Sequence, residues 1–187
     1  RTAAFICSQS DDAFGPWPIT EGLPTLEMHR NLPIDVQLKH FIAMDSIDDI
    51  IISNCYPTED ELKKISSVSL TEPTLDIELE NDIPEIMKKI VLDSELFYRG
   101  DVSDYIIRSS NTVLEYENED IPPFNPKEYI EKGSIIVNSN EYKQYKAEFQ
   151  IAKKTFKNTG KSNVVGKIAD DEIFILDYLK PWQKFNL

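Results

Sequence analysis

Apolar residues in the first part of the chain come in short runs, and their spacing switches between a strand-like and a helix-like period. Ala3-Ala-Phe-Ile-Cys7 is an unbroken apolar run of strand length, which predicts a buried strand. A loop over 11–18, broken by Gly15, Pro16 and Pro18, follows it. Gly22-Leu-Pro-Thr-Leu-Glu27 predicts a second strand, although Pro24 cannot donate to a ladder. From Pro33, a residue suited to the first helical turn, Ile34, Leu38, Phe41 and Ile42 recur at helical spacing and predict a helix with one apolar face. Asp48-Asp-Ile-Ile-Ile-Ser-Asn54 predicts a further strand, apolar enough to be covered on both sides. Thr58-Glu-Asp-Glu61 has the form of a capping box and opens a second helix. The order β, loop, β, α, β, α is an α/β arrangement.

Beyond Ser69 the pattern changes. In Thr74-Leu-Asp-Ile-Glu-Leu-Glu80 the apolar residues alternate strictly with acidic ones, which predicts a half-buried strand. Ile83, Ile86, Met87, Ile90 and Val91 form a helical stripe, with Asp82 as its expected cap. Later strands are predicted at 105–109, 134–139, 146–152, 163–168 and 172–179, separated by turn-rich segments such as 117–126 and 157–163. Ala147, Phe149 and Ile151 alternate in the manner of a half-exposed strand. The expected division is therefore 1–69, an α/β part, and 70–187, a mainly antiparallel β part. No internal repeat interrupts either one.

Charge narrows the function classes. Twenty Lys and Arg against 33 Asp and Glu leave a net charge of −13, which opposes binding to nucleic acid or to an anionic membrane surface. The Tyr and Lys residues of 142–154 therefore read as a solvated strand rather than a nucleic-acid platform. Cys7 and Cys55 are the only cysteines, too few for a disulfide framework or a zinc knuckle. No metal or cofactor is expected. No stretch has the length of a membrane span, and a cytoplasmic location is expected. The chain begins at Arg1, directly before a core-like strand, so it reads as a piece of something longer, and Leu23, Leu26 and Ile50–Ile52 are expected to lack neighbours.

Candidate chemistry falls in two places. If the first part belongs to a (β/α) barrel, reacting groups lie at the C-terminal ends of its strands. Those ends carry Ser8 and Gln9; Glu27, His29 and Arg30; and Ser53 and Asn54. Arg30 suits an anion. The alternative is that Glu27 and Arg30 neutralise each other and His29 is an ordinary satisfied side chain. The second place is residues 98–110, where Arg99, Asp101, Asp104 and Arg108 interleave with Ser109 and Ser110. Two guanidiniums with hydroxyls can hold a phosphate or carboxylate, or they can simply fix a loop. His40, beside Leu38 and Phe41, reads as core or surface rather than as a ligand.

Taken in order, EGLPTLEMHRNLP, DDIIISN, TEDEL, YRGD, IIRSS, NEYKQYKAEFQIA, NVVGKI and LDYLKPWQKFNL resemble a bacterial family labelled outer surface protein or domain of unknown function and assigned as 6-phospho-N-acetylmuramidases. The resemblance implies an N-terminal (β/α)8 TIM barrel and a C-terminal cyclophilin-like β-barrel. On this likeness the chain is the C-terminal half of the enzyme, inactive by itself, with the last barrel strands in 1–69 and the cyclophilin-like domain in 70–187. The implied reaction is cleavage of the β-1,4 bond between N-acetylmuramic acid 6-phosphate and N-acetylglucosamine during peptidoglycan recycling. Its partners would be that phosphorylated amino sugar and the rest of the barrel, with homo-oligomerisation left open. Glu27 would be the local catalytic candidate, the main acids lying upstream. His29, Arg30, Asn54, Arg99, Asp101, Arg108 and Ser109 would bind substrate. The family pattern has Asn-Arg-Pro-Asp where Tyr98-Arg99-Gly100-Asp101 stands here. A second class of function, a non-catalytic binding or assembly module formed by 70–187, competes with this reading.

Overall fold

The computed structural model describes residues 1–15 and 21–187; Pro16 and Pro18 of the expected loop lie outside them. Two compact units result, Arg1–Thr74 and Leu75–Leu187. No helix among the described residues is long and apolar enough to cross a membrane.

In the first unit, β1 (Ala3–Ile6) and β2 (Asp49–Ile52) pair in parallel, with Phe5 opposite Ile51 and Ile6 opposite Ile52. Helices α1 (Ile34–Met44) and α2 (Glu59–Ser67) follow the chain order expected of an α/β unit. One sheet face carries Ala4 and Ile6, which join Ile34, Leu38, Phe41 and Val68 in the core; Leu26, Ile50, Ile52 and Ile65 pack against it. The opposite face is open: Phe5 and Ile51 are each 44 % exposed. The expectation of strands covered on both sides is thus corrected, because only one layer of helices lies over this two-stranded sheet. Nor is α1 one-faced, since Gln37, Lys39 and His40 are buried along with its apolar stripe.

The strand expected at 22–27 does not form. Thr25 hydrogen-bonds β1, its N–H donating to Phe5 O at 3.0 Å and its Oγ1 accepting from Phe5 N at 2.7 Å. The chain then turns into a 3-10 helix, Glu27–His29. A proline in the middle of the segment removes one ladder donor, and a single bridging threonine satisfies β1 instead.

The second unit is built on an antiparallel five-stranded sheet. Its strands are β3 (Ile77–Leu79), β5 (Ile106–Ser109), β7 (Ser134–Asn138), β8 (Phe149–Ala152) and β10 (Ser162–Ile168), in the order β3-β10-β7-β8-β5. β3, an edge strand, is half-buried as its alternation predicted. β8 is central and every one of its residues is buried, against the expected half-exposed pattern. Sheet position overrides alternation there, because a strand flanked by two others is covered by whatever packs on either face. Helix α3 (Glu85–Leu92) buries Met87, Ile90 and Val91. Asp82 does not cap it: Pro84 holds the cap position without a side-chain bond. Two short pairs complete the unit. β4 (Leu96–Phe97) pairs with β11 (Lys184–Phe185), and β6 (Tyr129–Ile130) with β9 (Phe156–Lys157); a short helix α4 (Asn111–Glu115) follows β5. The strand expected at 172–179 is instead a 3-10 helix, Ile173–Asp177, with Ile175 and Leu176 both buried. An apolar run this short fits either a strand or a tight helical turn, and here the turn buries both.

Candidate functional site

In the first unit a cleft of about 400 Å³ opens where β1 ends, lined by Ser8, Gln9, Ser10, Asp11, Glu21, Arg30 and Asn31. Three side chains hold the backbone of 7–9 that leads into it. Asn54 is buried, accepting from Ser8 N at 2.8 Å and donating to Ser8 O at 3.1 Å. Gln37 does the same for Cys7, with Oε1 on the N–H at 2.8 Å and Nε2 on the carbonyl at 2.9 Å. Glu61 accepts from Ser8 Oγ and Gln9 N, both at 2.8 Å, while also closing the capping box with Thr58. Burial raises the Glu61 carboxyl, but bonds from Thr58, Ser8 and Gln9 outweigh it and hold the group below its ordinary value.

Arg30 lies at the rim with its donors largely committed. Nε and Nη2 hold the two Glu27 oxygens at 2.5 and 2.7 Å, and Nη1 reaches the carbonyls of Glu21 and Gly22 at 3.0 and 3.3 Å. Gly22 is needed there: its φ is +70°, and a Cβ would sit 2.8 Å from Cys7 Sγ. The Arg30 bond keeps the exposed Glu27 carboxyl below its usual range, which suits an ionised role and not that of a proton donor. Glu27 and Arg30 therefore neutralise each other, and Glu27 does not line the cleft. His29 is not at the rim. It is fully buried, its Nε2 lies 2.7 Å from His40 Nδ1, and its ring meets Phe41 edge-on. Burial first and the neighbouring imidazole second push His29 down to about 4, and burial pushes His40 to about 4 as well. The substrate-binding role expected of His29 is corrected: a neutral ring in the core cannot reach a ligand. Asn54 is likewise a scaffold for Ser8, with both amide ends used.

The second unit brings together three of the expected residues. Arg99 Nε lies 3.0 Å from Asp101 Oδ1 and Arg108 Nη2 lies 2.5 Å from Asp101 Oδ2. Behind them stands Glu148, 1 % exposed, 4.0 Å from Arg99 Nη1 and 3.9 Å from Arg108 Nε. Ser110 Oγ donates to Glu148 at 2.5 Å and accepts from Arg99 Nη1 at 3.0 Å, and Gln150 Nε2 donates to Glu148 at 2.6 Å. Strand register explains the assembly. Arg108 is opposite Gln150 in the β5–β8 pair, and Glu148, two residues from Gln150, projects from the same face. Ser109 is turned to the other face, where it is buried, accepts from Phe97 N at 3.1 Å and donates to Asn111 at 2.7 Å. Its expected place beside Arg108 is corrected by the alternation of the strand.

Sequence reading missed Glu148, Gln150, Asp11 and Glu21 as site residues. Glu148 could not be found from its neighbours in sequence, because the serine and arginines it meets are 38 to 49 residues away. Asp11 and Glu21 were legible as acids flanking the first loop but carry no motif. The two arginines and two carboxylates of the second cluster sum to zero charge, so the cluster accepts an anion only when one carboxylate gives way.

Comparison with known proteins adds a family. The description "6-phospho-N-acetylmuramidase, C-terminal" matches residues 73–187, and "6-phospho-N-acetylmuramidase, N-terminal" matches residues 1–67. Because both parts match, the expectation that this is only the C-terminal half is not supported. Among curated proteins nothing matches the chain. A crystal structure of an uncharacterized protein of B. cereus is similar over 100 % of this chain and 53 % of its own, at 38 % identity and a TM-score of 0.91. A conserved protein from Enterococcus faecalis of unknown function is similar over 98 % of this chain and 48 % of its own, at 22 % identity and a TM-score of 0.68, a likeness of fold. The chain thus spans about half the length of these solved chains.

Proposed function

We infer, because the chain belongs to the 6-phospho-N-acetylmuramidase family, that it is part of a glycosidase that cleaves the β-1,4 bond between N-acetylmuramic acid 6-phosphate and N-acetylglucosamine. The observation that carries the reading beyond family membership is the cleft at the end of β1, where two carboxylates, Asp11 and Glu21, share a wall with a guanidinium and hydroxyls. In this reading Arg1–Thr74 contributes to a TIM barrel, whose chemistry lies at strand ends, and Leu75–Leu187 is its cyclophilin-like companion. The parallel pair with its helices supports the first assignment, and the antiparallel five-stranded sheet supports the second. A cytoplasmic site of action is part of the same reading, as a phosphorylated sugar is generated inside the cell.

Glycoside hydrolysis needs one carboxyl group to protonate the leaving oxygen and another to act as nucleophile or to activate water. Asp11 and Glu21 are the carboxylates this chain brings to the cleft, and we assign them to the reaction. Glu27 has a positioning role instead, since it fixes Arg30, which in turn ties down the carbonyls of Glu21 and Gly22. Ser8, Ser10 and Asn31 supply hydrogen bonds to sugar hydroxyls.

The test is release of N-acetylglucosamine from the phosphorylated disaccharide by the intact protein, with the unphosphorylated disaccharide beside it. Cleavage that requires the phosphate is the expected result; no cleavage of either sugar would sink the reading. Asp11→Asn and Glu21→Gln should each lower kcat by roughly a hundredfold or more, the scale of a lost general acid or base. Glu27→Gln should act mainly on KM, through a loosened Arg30. Unchanged turnover in both cleft variants would move the acids out of this cleft.

A further inference from the structure

We propose that Glu61 is a positioning residue of the cleft at the end of β1. Its carboxylate starts a ladder of hydrogen bonds that runs through Ser8 and Ser10 and holds the turn presenting Asp11. The inference rests on the assignment of Asp11 to glycoside cleavage and deepens it, by naming the group outside the cleft on which that acid depends.

A capping box asks little of its glutamate, which has only to accept from the N-cap backbone. Glu61 does so, taking Thr58 N at 2.8 Å, with Thr58 Oγ1 beside it at 3.2 Å. Two further donors reach the same carboxylate from 53 and 52 residues away: Ser8 Oγ on Oε2 and Gln9 N on Oε1, both at 2.8 Å. The helix does not require these bonds; the loop after β1 does. The backbone of Cys7 ends on Gln37 and that of Ser8 on Asn54. The next amide, Gln9 N, falls to Glu61.

The ladder has a direction. A hydroxyl carries one proton and two lone pairs, and an ionised carboxylate only accepts. The bonds that hold Glu61 below its ordinary value keep it ionised, so the Ser8 proton points at Glu61 and the Ser8 oxygen is left to accept from Ser10 N at 3.0 Å. Ser10 in turn accepts twice. Its Oγ takes Asp12 N at 3.2 Å, and its carbonyl takes Ala13 N at 3.0 Å. The second of these bonds closes a β-turn over Ser10–Ala13 with Asp11 at its first corner. Ser8, Gln9, Ser10 and Asp11 line the cleft, whereas Glu61 is not among its lining residues. Glu61 therefore acts on the reaction only through them.

The test compares variants of the intact protein in cleavage of the phosphorylated disaccharide and in amide hydrogen exchange read residue by residue. Gln serves a capping box as well as Glu, but its amide nitrogen cannot accept, so Glu61→Gln keeps the cap and loses a rung. It should lower kcat roughly tenfold with KM nearly unchanged, and raise exchange at Gln9, Ser10, Asp12 and Ala13. Thr58→Ala makes the opposite cut: it breaks the cap and leaves Ser8 and Gln9 their acceptor. Exchange should then rise only in the first turn of α2, with kcat close to that of the wild type. In a Ser8→Ala background Glu61→Gln should cost clearly less than it does alone, because rungs of one ladder are not additive. Unchanged exchange over 9–13 in Glu61→Gln, an equal loss of kcat in Thr58→Ala, or full additivity with Ser8→Ala would each overturn the proposal. Should Glu61→Gln not fold, Ser8→Ala cuts the second rung by itself, and unaltered exchange at Ser10 in that variant overturns it too. Failure of the function looks different. A protein that cleaves the disaccharide, loses turnover in Asp11→Asn and keeps its kcat in Glu61→Gln retains the function and loses this inference. One that cleaves nothing, yet exchanges faster over 9–13 in Glu61→Gln and not in Thr58→Ala, retains the ladder and loses the glycosidase reading.

Discussion

Arg30 and Arg108 each sit among acidic or carbonyl partners, yet they answer to different constraints. Arg30 is tied within its own loop, three residues from Glu27, a pairing that spacing alone allows. Arg108 meets Glu148 only through strand register. Gly100 is a sharper case: a Cβ there would lie 2.3 to 2.4 Å from the Trp182 indole, which stacks on Phe97, so Gly100→Ala should displace the indole and abolish that stack in the near-ultraviolet circular dichroism. The His29–His40 pair predicts a pH dependence. Both rings titrate near 4 in the folded chain and near 6.5 when unfolded, so below pH 6.5 the unfolded chain binds more protons. Stability should fall as pH drops from about 6.5 to about 4, by up to roughly 1.4 kcal/mol per unit for each histidine. Denaturant midpoints should therefore decline across that window in the wild type and decline less in His29→Phe. The apolar neighbours of His40 argued against a ligand role but left core or surface open, and packing decided for the core; His29 was not legible as buried, because Glu27 and Arg30 around it suggested a wet rim.

Among the elements, α2 was the most readable, since a capping box is a local sequence pattern with a local geometry. Thr58→Ala should cost about 1 kcal/mol in chemical denaturation. Glu61→Gln should cost more, roughly 2 kcal/mol, because the same carboxylate also holds Ser8 and Gln9. That second role was invisible in the sequence, as Glu61 and Ser8 are 53 residues apart. In the second unit, the strands at 106–109, 134–138 and 162–168 were anticipated by apolar runs. The 3-10 helix at Ile173–Asp177 was not, because a short apolar run fits both a strand and a buried turn. Ile151→Ala, in the strand buried on both faces, should lower stability by about 2–5 kcal/mol. An equally conservative change on a truly half-exposed strand would cost far less.

Over the molecule as a whole, a net charge of −13 sets the long-range field, and the arginine pairs are local exceptions to it. The protein should pass unretained over immobilised DNA at about 0.1 M salt, where a basic surface would be held by counterion release. Composition and periodicity were enough to establish the acidic field, the change from an α/β to a mainly β pattern, the helices α1, α2 and α3, and the membership of Arg99, Asp101 and Arg108 in one charged segment. All of these follow from residue counts and from backbone periods of 3.6 and 2, which are local properties. Packing between distant segments was needed to stand Glu148 behind those arginines, to join Ser110 and not Ser109 to them, to bury His29, and to lay Trp182 on Gly100. Each of these depends on which strand or loop meets which, and no pattern within a single segment encodes that meeting.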